Sequence, residues 1–404
     1  MQEILVLGAG YAGLKTVRSL QKQAGDFHIT LVDRNDYHYE ATELHEVASG
    51  SQPKEKITFS IKEVIDEKKV TFIQDSVVKV NPEEKTAELA KSGTLHFDYV
   101  VVALGFCSET FGIVGAEENA LQMVDINTAE NIHHHIIKMM EKYRETKDKN
   151  YLRILVCGAG FTGIELAGAL TDEKKRYAEI AGVTADQIEI ICIEAATRIL
   201  PMFDDELANH GLELIKKLGI NLMLGSMIKE IKPGEVVYAT SPDENAERQS
   251  IAAETIIWTT GVSGSKVMGE SGFAERRGRV IINADLRDPK YDNVYIIGDV
   301  SALIDPSNDR PYPTTAQIAT QMGAHAAKNI AHQLNNEATE NFTYESKGTV
   351  ASVGNTHGLG IVGKSTKVKG YPASFIKKAI MNKSLVDMGG LKELLAKGRF
   401  DLYH

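Results

Sequence analysis

The chain has 404 residues, 43% of them apolar and 25% charged, which suits two or three ordinary globular domains with ample core. Its formal net charge of −10 argues against a general nucleic-acid partner, and no run approaches the roughly 18 apolar residues that a membrane span requires, so any bilayer contact is expected to be peripheral. Cys107, Cys157 and Cys192 lie far apart without C-x-x-C spacing, which reads as small buried side chains in a reducing compartment rather than disulfides, redox centres or metal ligands.

The N-terminus enters a strand at once and leaves no room for a signal peptide. The apolar run Ile4-Leu-Val-Leu7 leads into Gly8-Ala-Gly-Tyr-Ala-Gly13, helical spacing follows at Leu14, Val17 and Leu20, and the strand Ile29 to Val32 ends on Asp33. In such a strand, turn, helix and strand unit, Gly8 permits the turn, Gly10 admits a pyrophosphate close to the backbone, and Gly13 lets helix and strand pack. Asp33, 20 residues past Gly13, is placed to accept from an adenosine ribose.

The segment from Arg34 to Gly50 is rich in aromatics, acids and histidine, and its His38 and His45 read either as polar residues on an exposed helix start or as contacts to a cofactor or substrate. Strands are predicted at 70–73, 77–80, 86–89 and 99–105, the last ending on Gly105, and a connector helix at 125–150. His133, His134 and His135 are consecutive, point about 100° apart on that helix and read as a solvated face, so no metal site is expected.

The opening unit then recurs. Arg153 to Cys157 runs into Gly158-Ala-Gly-Phe-Thr-Gly163, a helix, and a strand 188–193 ending on Glu194; Ile256 to Gly261 closes this unit as 99–105 closes the first. The repetition argues duplication, and two dinucleotide sites in one chain suggest FAD exchanging electrons with a nicotinamide. A carboxylate at Glu194 repels a 2′-phosphate, favouring NADH over NADPH. Glu165, two residues past Gly163, is either a helix-dipole complement or, if its apolar neighbours bury it, an acid with a raised pKa fit to handle a proton or orient the nicotinamide. Ser241 to Gln249 reads as a polar hairpin tip, and strands at 280–282 and 294–297 lead to Gly298-Asp299.

A helix opens after Pro311-Tyr-Pro-Thr-Thr315, with Gln317 and Gln321 on one face, and free N–H groups near Ala316 and Gln317 could favour negative charge on a reduced ring. From 364 to 404 nine Lys and Arg stand against three Asp and Glu, 9 − 3 = +6, with apolar residues at helical spacing (Phe375, Ile376, Ala379, Ile380, then Leu391, Leu394, Leu395). This basic amphipathic tail is expected to lie on an anionic bilayer, or to pack on its own domain or a twin.

With Gly8 to Gly13, Tyr37-His-Tyr39, Leu44-His-Glu46, Leu104-Gly105, Gly158 to Glu165, Gly298-Asp299 and Ala316-Gln-Ile-Ala-Thr-Gln321 in order, the whole chain resembles a bacterial type II NADH:quinone oxidoreductase, a flavoprotein with two dinucleotide domains like glutathione reductase but without its cysteine pair. The resemblance implies an α/β fold of two Rossmann-like domains: FAD on 1–115 and 266–345, NADH on 116–265, and a membrane-anchoring or dimer segment on 346–404. It implies two-electron transfer from NADH to a membrane quinone by a single subunit that pumps no protons; a homodimer bound peripherally to the cytoplasmic face of the cell membrane is the further expectation.

By motif position, Glu165 is similar to the family's glutamate between nicotinamide and flavin. Gln317 and Gln321 resemble its quinone-pocket residues, Lys377 its lysine near the flavin, and Asp299 its ribityl-binding aspartate. The FAD contacts implied are Gly8, Gly10, Tyr11, Ala12, Gly13, Asp33, Arg34, His38, Val78, Ala103, Leu104, Gly105, Asp299, Ala316 and Gln317, and the NADH contacts Gly158, Gly160, Gly163, Glu194 and Gly261. The enzymatic alternatives are a sulfide:quinone reductase, which would need cysteines near the flavin, and a soluble-acceptor reductase of ferredoxin type; an NADH-sensing flavoprotein is the non-enzymatic one.

Overall fold

Residues 1–243 and 245–400 are described by a computed structural model; the hairpin-tip residue 244 and tail residues 401–404 lie outside it. The first unit forms as its pattern predicts: β1 (Gln2–Leu7), α1 (Tyr11–Leu20) and β2 (Phe27–Asp33), then α2 (Leu44–Ser49), β3 (Val70–Gln74) and β4 (Tyr99–Val102). A short strand β5 (Phe106–Ser108) follows, and β6 (Leu121–Gln122) and the long α3 (Ile126–Thr146) open the second unit. That unit holds β7 (Arg153–Cys157), α4 (Phe161–Asp172), β8 (Glu189–Ile193), β9 (Asn221–Met223), β10 (Thr255–Trp258) and its own short strand β11 (Val262–Gly264).

The chain then returns to the first sheet with β12 (Val294–Ile296) and runs on as α5 (Ala316–Leu334). A three-stranded antiparallel sheet follows, made of β13 (Gly348–Ser352), β14 (Gly358–Val362) and β15 (Thr366–Lys369), and α6 (Gly370–Gly389) and α7 (Leu391–Lys397) end the described chain.

Two five-stranded parallel sheets carry the molecule, ordered β12-β4-β1-β2-β3 and β6-β10-β7-β8-β9. In each, the strand before the glycine loop lies between neighbours reached in opposite directions, so the loop opens at a topological switch point, where ligands of such sheets bind. The apolar runs read in the sequence are buried in these sheets, Ile4 to Leu7 and Ile154 to Cys157 among them.

Helix α5 crosses α1 tightly. A Cβ at Gly323 would strike the carbonyl of Ala12, and Thr16 donates to the Gly323 carbonyl at 3.1 Å. That close approach sets the N-terminus of α5 beside the first glycine loop.

The tail packs on its own domain and leaves part of its apolar face outward. Phe375, Ala379 and Ile380 face outward on α6, while Lys378 and Met381 are buried and the Lys377 side chain is largely buried. Its cations are answered within the molecule: Lys369 by Glu206 at 2.6 Å, Lys377 by Glu165 at 2.8 Å, Lys392 by Glu63 at 2.9 Å and Arg399 by Glu46 at 3.1 Å. These ion pairs fasten the tail to its own body through carboxylates distant in sequence, while Lys383 and Lys397 pair with Asp387 and Glu393 inside the tail.

Candidate active site

In the first glycine loop Gly8 has φ +100°, and a Cβ on Gly13 would run into the Gly8 carbonyl, which is why both positions need glycine. A Cβ on Gly10 would meet no protein atom within 4 Å, so the backbone there stands open to the cleft. Asp33 fixes the loop from one side, its carboxylate accepting from the Ala9 N–H at 2.6 Å and from the Asn35 N–H at 2.8 Å. His38 fixes it from the other, 2.8 Å from the Ala9 carbonyl, which can only accept, so Nδ1 carries the proton.

Burial pulls the His38 pKa down to about 4, against the Ala9 hydrogen bond, and keeps the imidazole neutral. Of the two readings open for His38 and His45, the exposed helix start is the one the burial rules out. His38 sits buried on the strand Tyr37–Tyr39, paired to Thr58–Ser60, and His45 is buried on α2.

The loop heads a cleft of about 280 Å³ lined by Gly8, Gly10, Tyr11, Ala12, Asp33, Arg34, His38, Ala103, Leu104, Gly105 and Asp299, which brings together most of the FAD contacts that the resemblance implies. Val78 is a correction: it is 44% exposed, and its neighbour Val77 lines the cleft. A register shift between Val77 and Lys79 breaks the alternation that would have turned Val78 inward. Asp299 also lines a narrow crevice with Thr315 and Ala319 at the start of α5, and its carboxylate accepts no hydrogen bond from the described residues. Burial raises its pKa, opposed by Arg279.

The second loop repeats this geometry. Gly158 has φ +104°, a Cβ on Gly163 would strike the Gly158 carbonyl, and one on Gly160 would again meet nothing. Glu194 takes Asp33's part, accepting from the Ala159 N–H at 2.8 Å and the Ala196 N–H at 2.9 Å. Gly261 (φ +73°) lies three residues past β10, with the ring of Phe111 against it.

Glu165, on the first turn of α4, is buried with its carboxylate 2.8 Å from Lys377 Nζ and 3.1 Å from the donating Ser352 N–H. Burial pushes its pKa up, but Lys377, His45 and the hydrogen bonds from Lys377 and Ser352 outweigh burial and hold the carboxyl below its ordinary value. The expected rise is therefore reversed, because the C-terminal helix supplies a cation that no local pattern near Glu165 reveals. Lys377 is held above its ordinary value, burial being overcome by Glu165 and Glu43.

Around this pair stand four further acids that the sequence did not single out as a site: Glu43, Glu46, Asp172 and Glu173. Glu43 is buried and raised to about 7, chiefly by burial, opposed by His45 and Lys377. Arg399 lies 3.6 Å from Glu43 and 3.1 Å from Glu46, and it also reaches Asn355 at 3.1 Å. Glu43, His45 and Glu46 converge closely enough to ligate a cation, but Arg399 already supplies the positive charge between the two carboxylates. Asp172, Glu173 and Ser352 extend the group into an open cleft of about 420 Å³ that reaches Glu165.

Gln317 and Gln321 do share a face of α5, and both amides are occupied by the segment 344–348. Gln317 accepts from the Lys347 N–H at 2.7 Å and from Tyr344 OH at 3.1 Å, and Gln321 donates to the Glu345 carbonyl at 3.0 Å. Gln317 also donates to the Gly348 carbonyl at 3.3 Å, so β13 spans from that glutamine at its first residue to Glu165 at its last. Of the three histidines on α3 only His134 faces solvent; His133 packs on Gly50 and His135 bonds the Glu254 carbonyl at 2.9 Å.

Residues 2–323 match the family model described as pyridine nucleotide-disulphide oxidoreductase. A type II NADH:quinone oxidoreductase from Staphylococcus saprophyticus is 41% identical over 404 residues, covering 99% of each chain. The chain belongs to the type II NADH:quinone oxidoreductases. It is an enzyme that passes electrons from NADH to a quinone, with FAD as its flavin.

Among solved structures, the fold matches NDH2 from Plasmodium falciparum in complex with NADH at a TM-score of 0.88 and 19% identity, over 100% of this chain and 98% of that one. It matches the sulfide:quinone oxidoreductase of Aquifex aeolicus at 0.79 and 20%, over 100% and 96%. FAD fits the first cleft on two observations: the backbone at Gly10 is open to a pyrophosphate, and the unpartnered Asp299 carboxylate is available to a ligand hydroxyl.

Proposed function

We propose that the first cleft holds FAD and the second glycine loop holds NADH, dividing the chain into an FAD domain (1–115 and 266–345), an NADH domain (116–265) and a membrane and dimer segment (346–404). Bound FAD supplies a ring that accepts a hydride and gives up two electrons to a quinone. Asp33 and Arg34 hold the adenosine end, Asp299 accepts from the ribityl chain, and the N–H groups at Ala316 and Gln317 favour negative charge on the ring. Glu194 accepts from the adenosine ribose of NADH and repels a 2′-phosphate.

The observation that carries this reading is the Glu165–Lys377 pair, which joins the first turn of the NADH-loop helix to the C-terminal helix at 2.8 Å. Glu165, kept ionised by Lys377, orients the nicotinamide and exchanges a proton with the quinone side, while Gln317 and Gln321 line the quinone entrance. Quinone reaches the site from the membrane, on which Phe375, Ile380, Leu391 and Leu395 rest, all exposed on α6 and α7. The enzyme works as a peripheral homodimer on the cytoplasmic face, without pumping protons.

The test follows flavin absorbance in the purified holoenzyme, bleached by NADH and recovered with a short-chain quinone. Glu165→Gln is expected to slow bleaching at least tenfold, and Gln317→Ala to slow recovery while bleaching proceeds. Unchanged bleaching in the first variant, or unchanged recovery in the second, overturns the role given to that residue.

A further inference from the structure

The two halves are related by more than their glycine loops. Gly105 stands three residues past the end of β4 and Gly261 three past the end of β10, and each leads directly into a short strand, β5 or β11. These two strands pair antiparallel with each other: Phe106 opposite Gly264, Cys107 opposite Ser263, and Ser108 opposite Val262. Under the duplication that equates Gly105 with Gly261, Cys107 equates with Ser263, so the pairing is centred on equivalent residues. Each half sends its short strand across to the other.

Carrying the equivalence onward, Val267 stands three residues past β11 and Phe111 three past β5. Val267 lines the first cleft, together with Gly105, although it follows the second half's strand. Phe111 does the converse. Its ring lies on Gly261, 2.6 Å and 2.8 Å from where a Cβ would stand, so a residue of the first half reaches the second glycine loop.

Phe111 is held there deliberately. Its φ is +53°, the left-handed region that a bulky residue adopts only when its surroundings impose it, and its N–H donates to Glu109 at 2.8 Å. Glu109 also takes Arg277 at 2.8 Å, and the Arg277 guanidinium lies over the Phe111 ring, 4.8 Å from its centre. Despite these restraints the side chain remains 53% exposed. A strained, clamped aromatic that is still half exposed beside the loop is a surface built to meet something.

We propose that Phe111 is a wall of the NADH site supplied from the FAD half, meeting the dinucleotide beside Gly261 as Val267 meets the cofactor beside Gly105. This rests on the reading that the second glycine loop takes NADH. The contact is apolar and aromatic, so it contributes affinity for the dinucleotide and takes no part in the chemistry.

Steady-state kinetics of the holoenzyme test it. Phe111→Ala is expected to raise KM for NADH about tenfold, with kcat at saturating NADH, KM for a short-chain quinone and FAD content unchanged. Phe111→Leu, which keeps apolar bulk, should recover most of the loss. An unchanged KM for NADH in both variants, or an equal rise in KM for quinone, overturns the proposal. Gly160→Val separates it from the reading beneath: the added side chain should block the loop and abolish reduction by NADH, and if NADH still bleaches the flavin normally, the assignment of that loop fails as well.

Discussion

Lys377, carried by the C-terminal helix, lies 2.8 Å from Glu165 on the first turn of the second loop's helix, 212 positions earlier in the chain. Both groups are largely withdrawn from water, so neither is screened as a surface pair would be. Because Glu165 is held below its ordinary value, the stability it contributes is present at neutral pH and is lost only as pH falls through that depressed value. Lys377→Met leaves a buried carboxylate supported by Ser352 and His45. It should lower unfolding stability by about 3–5 kcal/mol and raise the Glu165 pKa, so that the rate of flavin bleaching by NADH acquires an acid limb nearer neutrality. A pH–rate profile and a thermal melt check this, and a profile superimposable on wild type would remove Lys377 as the group that sets Glu165's charge.

The cradles were legible in the sequence because their signals are local: glycines at fixed spacing, an apolar strand before them, and an acid at the end of the next strand. What surrounds Glu165 was not. Arg399 reaches Glu46 across 353 positions, and Ser352 donates to Glu165 across 187, separations at which no periodicity speaks. Nor were the partners of the tail's lysines legible, because the carboxylates that meet Lys392 and Lys369, Glu63 and Glu206, lie elsewhere in the chain. Val78 failed on a smaller scale, through one bulge that changed which valine turns inward.

That bulge gives a direct comparison. Val77→Asp places a charge against the first cleft and, if FAD binds there as proposed, should lower FAD retained through purification several-fold, whereas Val78→Asp adds one more charge to an exposed surface and should leave the flavin content near wild type. The ratio of flavin to protein absorbance decides it. Equal loss in both variants would show that the strand, rather than the inward side chain, matters.

Glu40 is buried between the cradle and the C-terminal helix, accepting from Tyr11 OH at 2.8 Å and from Ser384 at 2.7 Å, and burial raises its pKa to about 7 despite both bonds. A raised folded value means that its protonated form favours folding: this contribution is fully present below the ordinary value and is lost as pH rises through about 7. Glu40→Gln keeps an acceptor for both hydroxyls and cannot ionise. Relative to wild type it should gain on the order of 3 kcal/mol at pH 8.5 and little at pH 5. Thermal melts at the two pH values test the sign, and a variant less stable than wild type at pH 8.5 would contradict it.

The outward apolar face of the tail makes its own prediction. Leu391 and Leu395 are 69% and 79% exposed one turn apart, whereas Lys369, Lys377 and Arg399 are tied to carboxylates of the body. Docking on a bilayer should therefore depend on apolar insertion more than on charge. Substituting Leu391→Glu and Leu395→Glu together removes roughly 3 kcal/mol of apolar transfer, about a hundredfold in affinity, and should abolish sedimentation with phosphatidylglycerol vesicles. Wild-type protein should still sediment when salt is raised to about 0.5 M, where exposed charges are screened within a few ångströms. Release by salt, with the leucine variant still bound, would return the attachment to the lysines and show that their intramolecular pairs open at the membrane.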